Sequence, residues 1–367
     1  MPPLRSLPAL LILILLLPAA LAVELRVASL NVGGDFGSNT GIGDFGTTDH
    51  DALVDILARI DADVVTLQEV FDNDLDGAPD DLSTSDATGF PDDLADLASA
   101  LGYPHRYTGF QTSLDPFLRV VFLSKFPLTS TDAADSVDPA NEMARVAPAI
   151  VVDVPGTDND PTIIGVHVKA GTDPDDPFRR AIEMRRINDY LDAEGLTEND
   201  NIIVLGDFNL DLDPNTSVFN SLPSGLPGSY TLGTDVTFPV NYNEFPESYF
   251  STPSLVRLTP TRLNGATNTF VFNSRIIDHI LLSPAIANRG VVSEIYDSQL
   301  DVDNIAGLPK SGAPLNNNRS FEASDHYAIF ADVQLDGGLQ LSAAVSQATV
   351  SEDDAPGTAT FNVTIDP

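Results

Sequence analysis

Eight polar residues stand at or just beyond the ends of short apolar runs, where a core-forming sequence ordinarily continues apolar or turns. Asn31 follows Val27-Ala28-Ser29-Leu30, Glu69 follows Val64-Val65-Thr66-Leu67-Gln68, and His167 closes Ile163-Ile164-Gly165-Val166. Asp207 and Asn209 follow Ile202-Ile203-Val204-Leu205-Gly206, Asp278 precedes His279-Ile280-Leu281-Leu282, and Asp325-His326 leads into Tyr327-Ala328-Ile329-Phe330. A charge buried at such a place is costly unless it is paired or metal-bound. Singly, each residue has a plain explanation in a strand-end turn, a helix cap or a satisfied core histidine. Six such places in one chain point to a site instead. Carboxylates, amides and imidazoles are the groups of acid–base and metal-assisted chemistry. The chain has no cysteine, and no serine stands out as a nucleophile.

Those residues need strands to carry them. Compact apolar runs predict strands at 25–32, 64–67, 119–124, 149–154, 163–168, 202–205, 269–272, 276–282, 291–296 and 327–335. Helical spacing of Leu53, Ile56, Leu57 and Ile60 predicts a helix at 51–60, and Ala181, Met184, Ile187 and Leu191 share one face of a second at 177–194. Many strands with a few interspersed helices predict stacked sheets covered by helices.

The ordered motifs Ser29-Leu30-Asn31-Val32, Leu67-Gln68-Glu69-Val70, His167-Val168-Lys169, Gly206-Asp207-Phe208-Asn209, Ile277-Asp278-His279-Ile280 and Ser324-Asp325-His326 span residues 25–335. As a set they resemble the endonuclease/exonuclease/phosphatase superfamily, with its deoxyribonuclease-I-like fold. Gly-Asp-Phe-Asn alone is moderately specific, whereas the ordered set is highly specific. The resemblance implies an α/β, four-layer sandwich of two packed mixed β-sheets flanked by helices, with the site at one rim. It implies a metal held by Asn31, Glu69 and Asp325. An oxygen set of that kind suits Mg²⁺, with Mn²⁺ or Ca²⁺ as alternatives. It makes Asp207 the residue that positions or deprotonates the attacking water and Asn209 a donor to a phosphate oxygen. His326 becomes a cation partnered by Asp278, and His167 takes a second histidine position that some members fill with tyrosine. Arg119 and Arg145 lie where members carry phosphate-facing arginines; pairing with a carboxylate is an equal alternative for both.

Composition sets limits on the partner. Fifty-four acidic residues against 18 basic ones give a net charge of −36, which opposes self-association and repels polyanions. Local arginines, metal ions and salt must offset that field if the substrate is polyanionic. Arg5, the apolar run from Leu7 to Leu17 and Ala20-Leu21-Ala22 read as a signal peptide over 1–22, too short and too interrupted by Pro18 for a membrane anchor. A secreted, extracellular or periplasmic location follows, or display at the cell surface, with a monomeric catalytic domain and no membrane span after cleavage. The catalytic domain is expected over 23–336. Residues 337–367 read as a linker and the opening of a truncated β-strand module that resembles a Calx-β repeat.

Two segments break the rhythm. Residues 72–96 hold nine aspartates and no basic residue, and 226–268 is rich in Pro, Asn, Thr and Tyr; both read as long surface insertions. Asp72 to Asp80 resembles the start of a calcium loop, a structural Ca²⁺ site that lacks the usual glutamate because Ser83 stands at the twelfth place. A solvated acidic loop is the alternative. Tyr230, Phe238, Tyr242, Phe245, Tyr249 and Phe250 read as aromatics that pack their own loop, with base or lipid contact as the other reading. Arg179, Arg180, Arg185 and Arg186 read as a solvated helix face, or else as the one local basic patch. His50 and His105 belong to no motif and read as structural. The substrate expected is nucleic acid, DNA or RNA, ahead of a phospholipid or sphingomyelin, which would need an apolar membrane loop in a chain without tryptophan. An inositol-polyphosphate phosphatase ranks last, and a non-catalytic surface binding module is the remote alternative.

Overall fold

A computed structural model describes residues 23–33, 48–71, 93–110, 112–157, 159–211, 216–243, 254–315 and 318–335, all within one compact unit, Val23–Asp336. The signal-peptide reading, the Asp72–Asp80 calcium loop and the Calx-β-like tail lie outside the described residues. In chain order the strands are β1 Glu24–Asn31, β2 Val64–Phe71, β3 His105–Thr108, β4 Leu118–Ser124, β5 Leu128–Ala134, β6 Ala147–Val152 and β7 Thr162–His167. They continue with β8 Ile202–Asp207, β9 Thr216–Phe219, β10 Val240–Asn243, β11 Val256–Arg257, β12 Asp278–Leu282, β13 Val291–Ile295 and β14 Ile329–Gln334. The helices are α1 Thr48–Ile60, α2 Asp93–Leu101, α3 Asp176–Ala193, α4 Pro284–Ala287 and α5 Arg319–Ala323. No described helix is long and apolar enough to cross a membrane.

Two six-stranded mixed sheets form, in the orders β13-β14-β1-β2-β4-β3 and β11-β12-β8-β7-β6-β5. The period-2 alternation of strand side chains explains how they stack. Val27, Val64, Phe122, Ile329 and Val333 of the first sheet meet Ile150, Ile163, Ile203, Leu205 and Ile280 of the second in one apolar cluster. Their neighbours face the other way. Leu30, Val65, Val121 and Leu123 receive Leu53, Ile56 and Leu57 of α1 and Leu97 of α2, while Ile164, Val166 and Val204 receive Met184, Ile187 and Leu191 of α3. The result is helix, sheet, sheet, helix: the four-layer α/β sandwich the motifs implied. Each fully buried Leu, Ile or Val contributes roughly 1.5–3 kcal/mol of transfer free energy.

Three expectations need correction. Residues 269–272 form no strand: the Thr269 and Phe270 N–H groups both donate to the Arg275 carbonyl, at 3.0 and 3.3 Å, so their hydrogen bonds fold back on a turn. Only an isolated bridge, Phe270 to His326, remains. The end of the acidic insertion is helical, since α2 starts at Asp93 and buries Leu94, Leu97 and Ala98. The four arginines of α3 are neither a solvated face nor a basic patch. Arg179, Arg180 and Arg186 are buried, and Arg186 binds Glu142 at 2.6 Å and Asp235 at 2.7 Å. Arg185 joins Asp189 and Asp235. This ionic clamp holds the 226–240 stretch against α3. Beside it Phe178, Tyr230 and Val240 make a small core of their own, with the Phe238 ring stacked 6.3 Å from Phe178. Loop-packing is therefore the role of Tyr230 and Phe238; the side chains of Tyr242, Phe245, Tyr249 and Phe250 lie outside the described residues.

Candidate active site

Strand register brings the polar residues into one row. His167 is opposite Asp207 across the parallel β7–β8 pair, and Asp278 is opposite Asp207 across the antiparallel β8–β12 pair. Asn31 ends β1 beside Gln68 of β2. The β2–β4 register then slips between Leu67 and Val70, and Glu69 takes a left-handed backbone, φ 58°. A bulge of that kind re-aims a side chain and persists only where the surroundings hold it. Asn209 is likewise left-handed at φ 51°. Two glycines make room. Gly206 has φ 146°, and a Cβ there would strike the Val166 carbonyl of β7; a Cβ on Gly33 would strike the Glu69 carboxylate.

The two sheets are tied together by Asn31. Its fully buried amide donates to Glu69 Oε1 at 3.0 Å and to Asp207 Oδ2 at 3.0 Å, while its Oδ1 accepts the Gly33 N–H at 3.0 Å. Asp207 also accepts the Asn209 backbone N–H at 2.7 Å and its amide at 3.2 Å. His167 Nε2 lies 3.4 Å from Glu69 Oε1 and 3.7 Å from Asp207 Oδ2. On the far side, Asp278 holds His326 Nδ1 at 2.9 Å, leaving Nε2 4.0 Å from Asp207 Oδ2 and 3.9 Å from Asp325 Oδ1.

Burial and charge split the titratable groups. Burial pushes Asp207 up to about 7 despite the opposing pull of His326. Burial alone would depress His326, but Asp278, Asp207 and Asp325 overcome it and push it up to about 10, a cation at neutral pH. Burial, with Arg145, His326 and Lys169, holds His167 well below its ordinary value, so it is neutral. Burial also raises Asp325, with Glu69 adding repulsion.

The residues present fit a hard cation. Asp325 Oδ1 is buried without a hydrogen-bond partner, a debt that an ion would settle. Donor atoms of Glu69, His167 and Asp207 lie within 4.8 Å of one another, as do those of Asp207, Asp278 and His326. The second group is the poorer candidate, because Asp278 already holds His326 and a protonated imidazole has no lone pair to offer. The carboxylates of Glu69, Asp207 and Asp325 are oxygen donors of the kind hard divalent cations prefer, whereas the Asn31 oxygen is turned to the Gly33 N–H.

The sequence pattern of the Endonuclease/Exonuclease/phosphatase family matches residues 28–326. The chain belongs to that family. It is accordingly a hydrolase of phosphoester bonds, of a kind that depends on a divalent metal. The fold agrees with a family structure from Beutenbergia cavernae at 19% identity and TM-score 0.53, covering 87% of this chain and 73% of that one. A family protein from Bacteroides thetaiotaomicron is similar at 16% identity and TM-score 0.52, over 86% of this chain and 99% of that one. Among curated proteins none matches in sequence.

The family motifs thus converge at one rim. The two arginines behave differently. Arg145 gives its guanidinium to the carbonyls of His167 at 3.0 Å and Val168 at 3.1 Å and to Asp115 at 2.5 Å, so it braces the His167 segment from behind. Arg119 is buried on β4, opposite Val70, the residue after Glu69. Four further residues went unmarked in the sequence. Ser324 Oγ donates to the Asn31 carbonyl at 2.6 Å and accepts the His326 N–H at 3.0 Å; Thr269 Oγ1 accepts the N–H groups of Ile277 and Asp278. Buried Glu183 of α3 accepts the Lys169 N–H at 2.7 Å and the Ala144 N–H at 2.9 Å. Arg275 reaches the Asn209 carbonyl at 3.4 Å. Ser324 sits inside a quoted motif; the partners of Glu183 and Arg275 lie 14 to 66 residues away, and Thr269, though only 8 and 9 residues from its partners, belongs to no motif.

Proposed function

We propose that the chain is an exported, Mg²⁺-dependent nuclease that cuts phosphodiester bonds of DNA or RNA by in-line attack of water. The observation that supports this most is the Asn31 bridge, which sets Glu69, Asp207 and His167 about one point facing the cationic His326. Asp207 takes the proton of the attacking water as the new P–O bond forms and the ester P–O bond breaks. His326, held by Asp278, and the Asn209 amide face the charge that builds on the phosphoryl oxygens. His167, neutral, donates to the phosphate or to the leaving oxygen. A divalent cation held by Glu69 and Asp325 would, when bound, polarise the phosphoryl oxygens and stabilise the leaving oxyanion. The positive, apolar and small-residue pattern of residues 1–22 supports export.

The test is a parallel assay of the full chain on plasmid DNA, RNA, sphingomyelin vesicles and a generic phosphate bis-ester. Nucleic acid should be degraded with Mg²⁺, spared with chelator and degraded again when Mg²⁺ is restored. Sphingomyelin hydrolysis with both nucleic acids intact overturns the substrate; cleavage that ignores chelator overturns the metal.

A further inference from the structure

A row of aromatic rings borders the site and takes no part in the hydrolytic chemistry above. The Phe270 ring meets the His326 imidazole edge-on, centroids 5.3 Å apart and planes at 86°. Phe272 follows 5.7 Å from Phe270, and Phe321 of α5 lies 5.7 Å from Phe272 at 74°. Phe272 is 50% exposed and Phe321 41% exposed, so the row begins against the site's histidine and ends in solvent. Its mounting is fixed: the Val271 N–H donates to the Asp325 carbonyl and the Tyr327 N–H to the Thr269 carbonyl, both at 2.7 Å. Rings held in place before a ligand arrives bind it with little ordering cost. On the same turn stands Arg275, its side chain 39% exposed and its Nε in a long, solvent-facing pair with Asp211 at 3.4 Å.

We infer that the nucleobase flanking the scissile phosphate of a single-stranded nucleic acid rests on this ledge, face-on to one of Phe272 and Phe321 and against the edge of the other, with Arg275 exchanging Asp211 for a neighbouring phosphate. This rests on the nucleic-acid reading above. Every base offers a π-face to an aromatic side chain once it is unpaired and splayed from its neighbours, and a duplex withholds it. Phenyl faces also attract quaternary ammonium headgroups, so sphingomyelin vesicles are the competing arm of the test.

The full chain is assayed with Mg²⁺ on a single-stranded oligonucleotide, on its duplex, and on the same strand carrying base-less residues on both sides of one central linkage. Loss of one stacked base should raise KM at that linkage about tenfold. In the double variant Phe272→Ala/Phe321→Ala that tenfold ratio should collapse toward one, and Phe272→Trp should keep it. Both rings are exposed, so their removal leaves the cores intact, which circular dichroism checks. A ratio unchanged in the double variant overturns the inference, as does a wild type that cuts duplex and single strand equally. Oligonucleotides left whole by the wild type, while sphingomyelin vesicles are hydrolysed, overturn the nucleic-acid reading itself.

Discussion

Asp207 and His326 face each other across 4.0 Å, one carboxyl raised to about 7 by burial and one imidazole raised to about 10 by three carboxylates. Replacing the carboxylate by an amide of the same shape keeps the packing and removes the proton acceptor. Asp207→Asn should therefore lower kcat by roughly 10²–10⁴-fold in protein that circular dichroism shows to be folded; steady-state kinetics that show less than a tenfold loss remove Asp207 from the mechanism. A second buried carboxylate governs stability instead. Burial pushes Asp301 up, but hydrogen bonds from Arg59, the Leu315 N–H and Tyr296 outweigh it and hold it below its ordinary value. The unfolded chain then binds the proton more readily than the folded one, so the contribution is complete above the unfolded value near 4 and fades as pH falls through the lower folded value. Urea unfolding of Asp301→Asn should show a stability deficit that is constant from about pH 5 to 7 and narrows below about pH 4. A deficit that widens in acid contradicts this assignment.

At the scale of elements, function depends on segments that never touch substrate. α3 works as a brace. Its Arg186 is 1% exposed and clamps Glu142, which is wholly buried and accepts the Gly233 N–H at 2.7 Å as well. Removing the cation leaves a carboxylate uncompensated in the interior. Arg186→Ala should cost about 3–5 kcal/mol, read as a fall in melting temperature and as new proteolytic cleavage within 226–240. Cleavage confined to other segments would remove the clamp from the account. One turn earlier in α3, Glu183 and the Arg145 brace hold the His167–Lys169 exit from β7 on two sides. A strand-end becomes a precise mount because a helix and the segment leading into β6 each supply a side chain to it.

For the whole molecule, charge and task pull in opposite directions. A net charge of −36 repels a polyanion, and the basic residues that might answer it are largely spent on internal ion pairs such as Arg59–Asp301, Arg145–Asp115 and Arg186–Glu142. A nuclease with many phosphate contacts loses affinity steeply as salt rises. On the nuclease reading proposed above, the −36 charge makes repulsion the larger effect, and screening shortens its reach from about 30 Å at 0.01 M salt to about 8 Å at 0.15 M. KM for DNA should fall over that range at fixed free Mg²⁺. A KM that climbs steeply would place an attractive basic surface somewhere on the chain.

Much of this was legible in the residues themselves. Compact apolar runs located β1, β2, β4, β6, β7, β8, β12, β13 and β14, because strands buried on both faces, as β7, β8 and β12 are, read as continuous apolar stretches, and helical apolar spacing located α1 and α3. Edge strand β5, Leu-Thr-Ser-Thr-Asp-Ala-Ala, escaped notice because most of its side chains face water and carry no apolar pattern. The eight polar residues at strand ends were likewise visible, since short motifs hold them. What the chain alone could not reveal was partnership. Whether Arg186 meets solvent or Glu142, whether Arg145 faces phosphate or the His167 carbonyl, and whether Phe272 and Phe321 share a ledge depend on segments far apart in the chain that only the packed sheets bring within a few ångströms. Residue type states what a group is able to do; the tertiary fold decides what it is left to do it with.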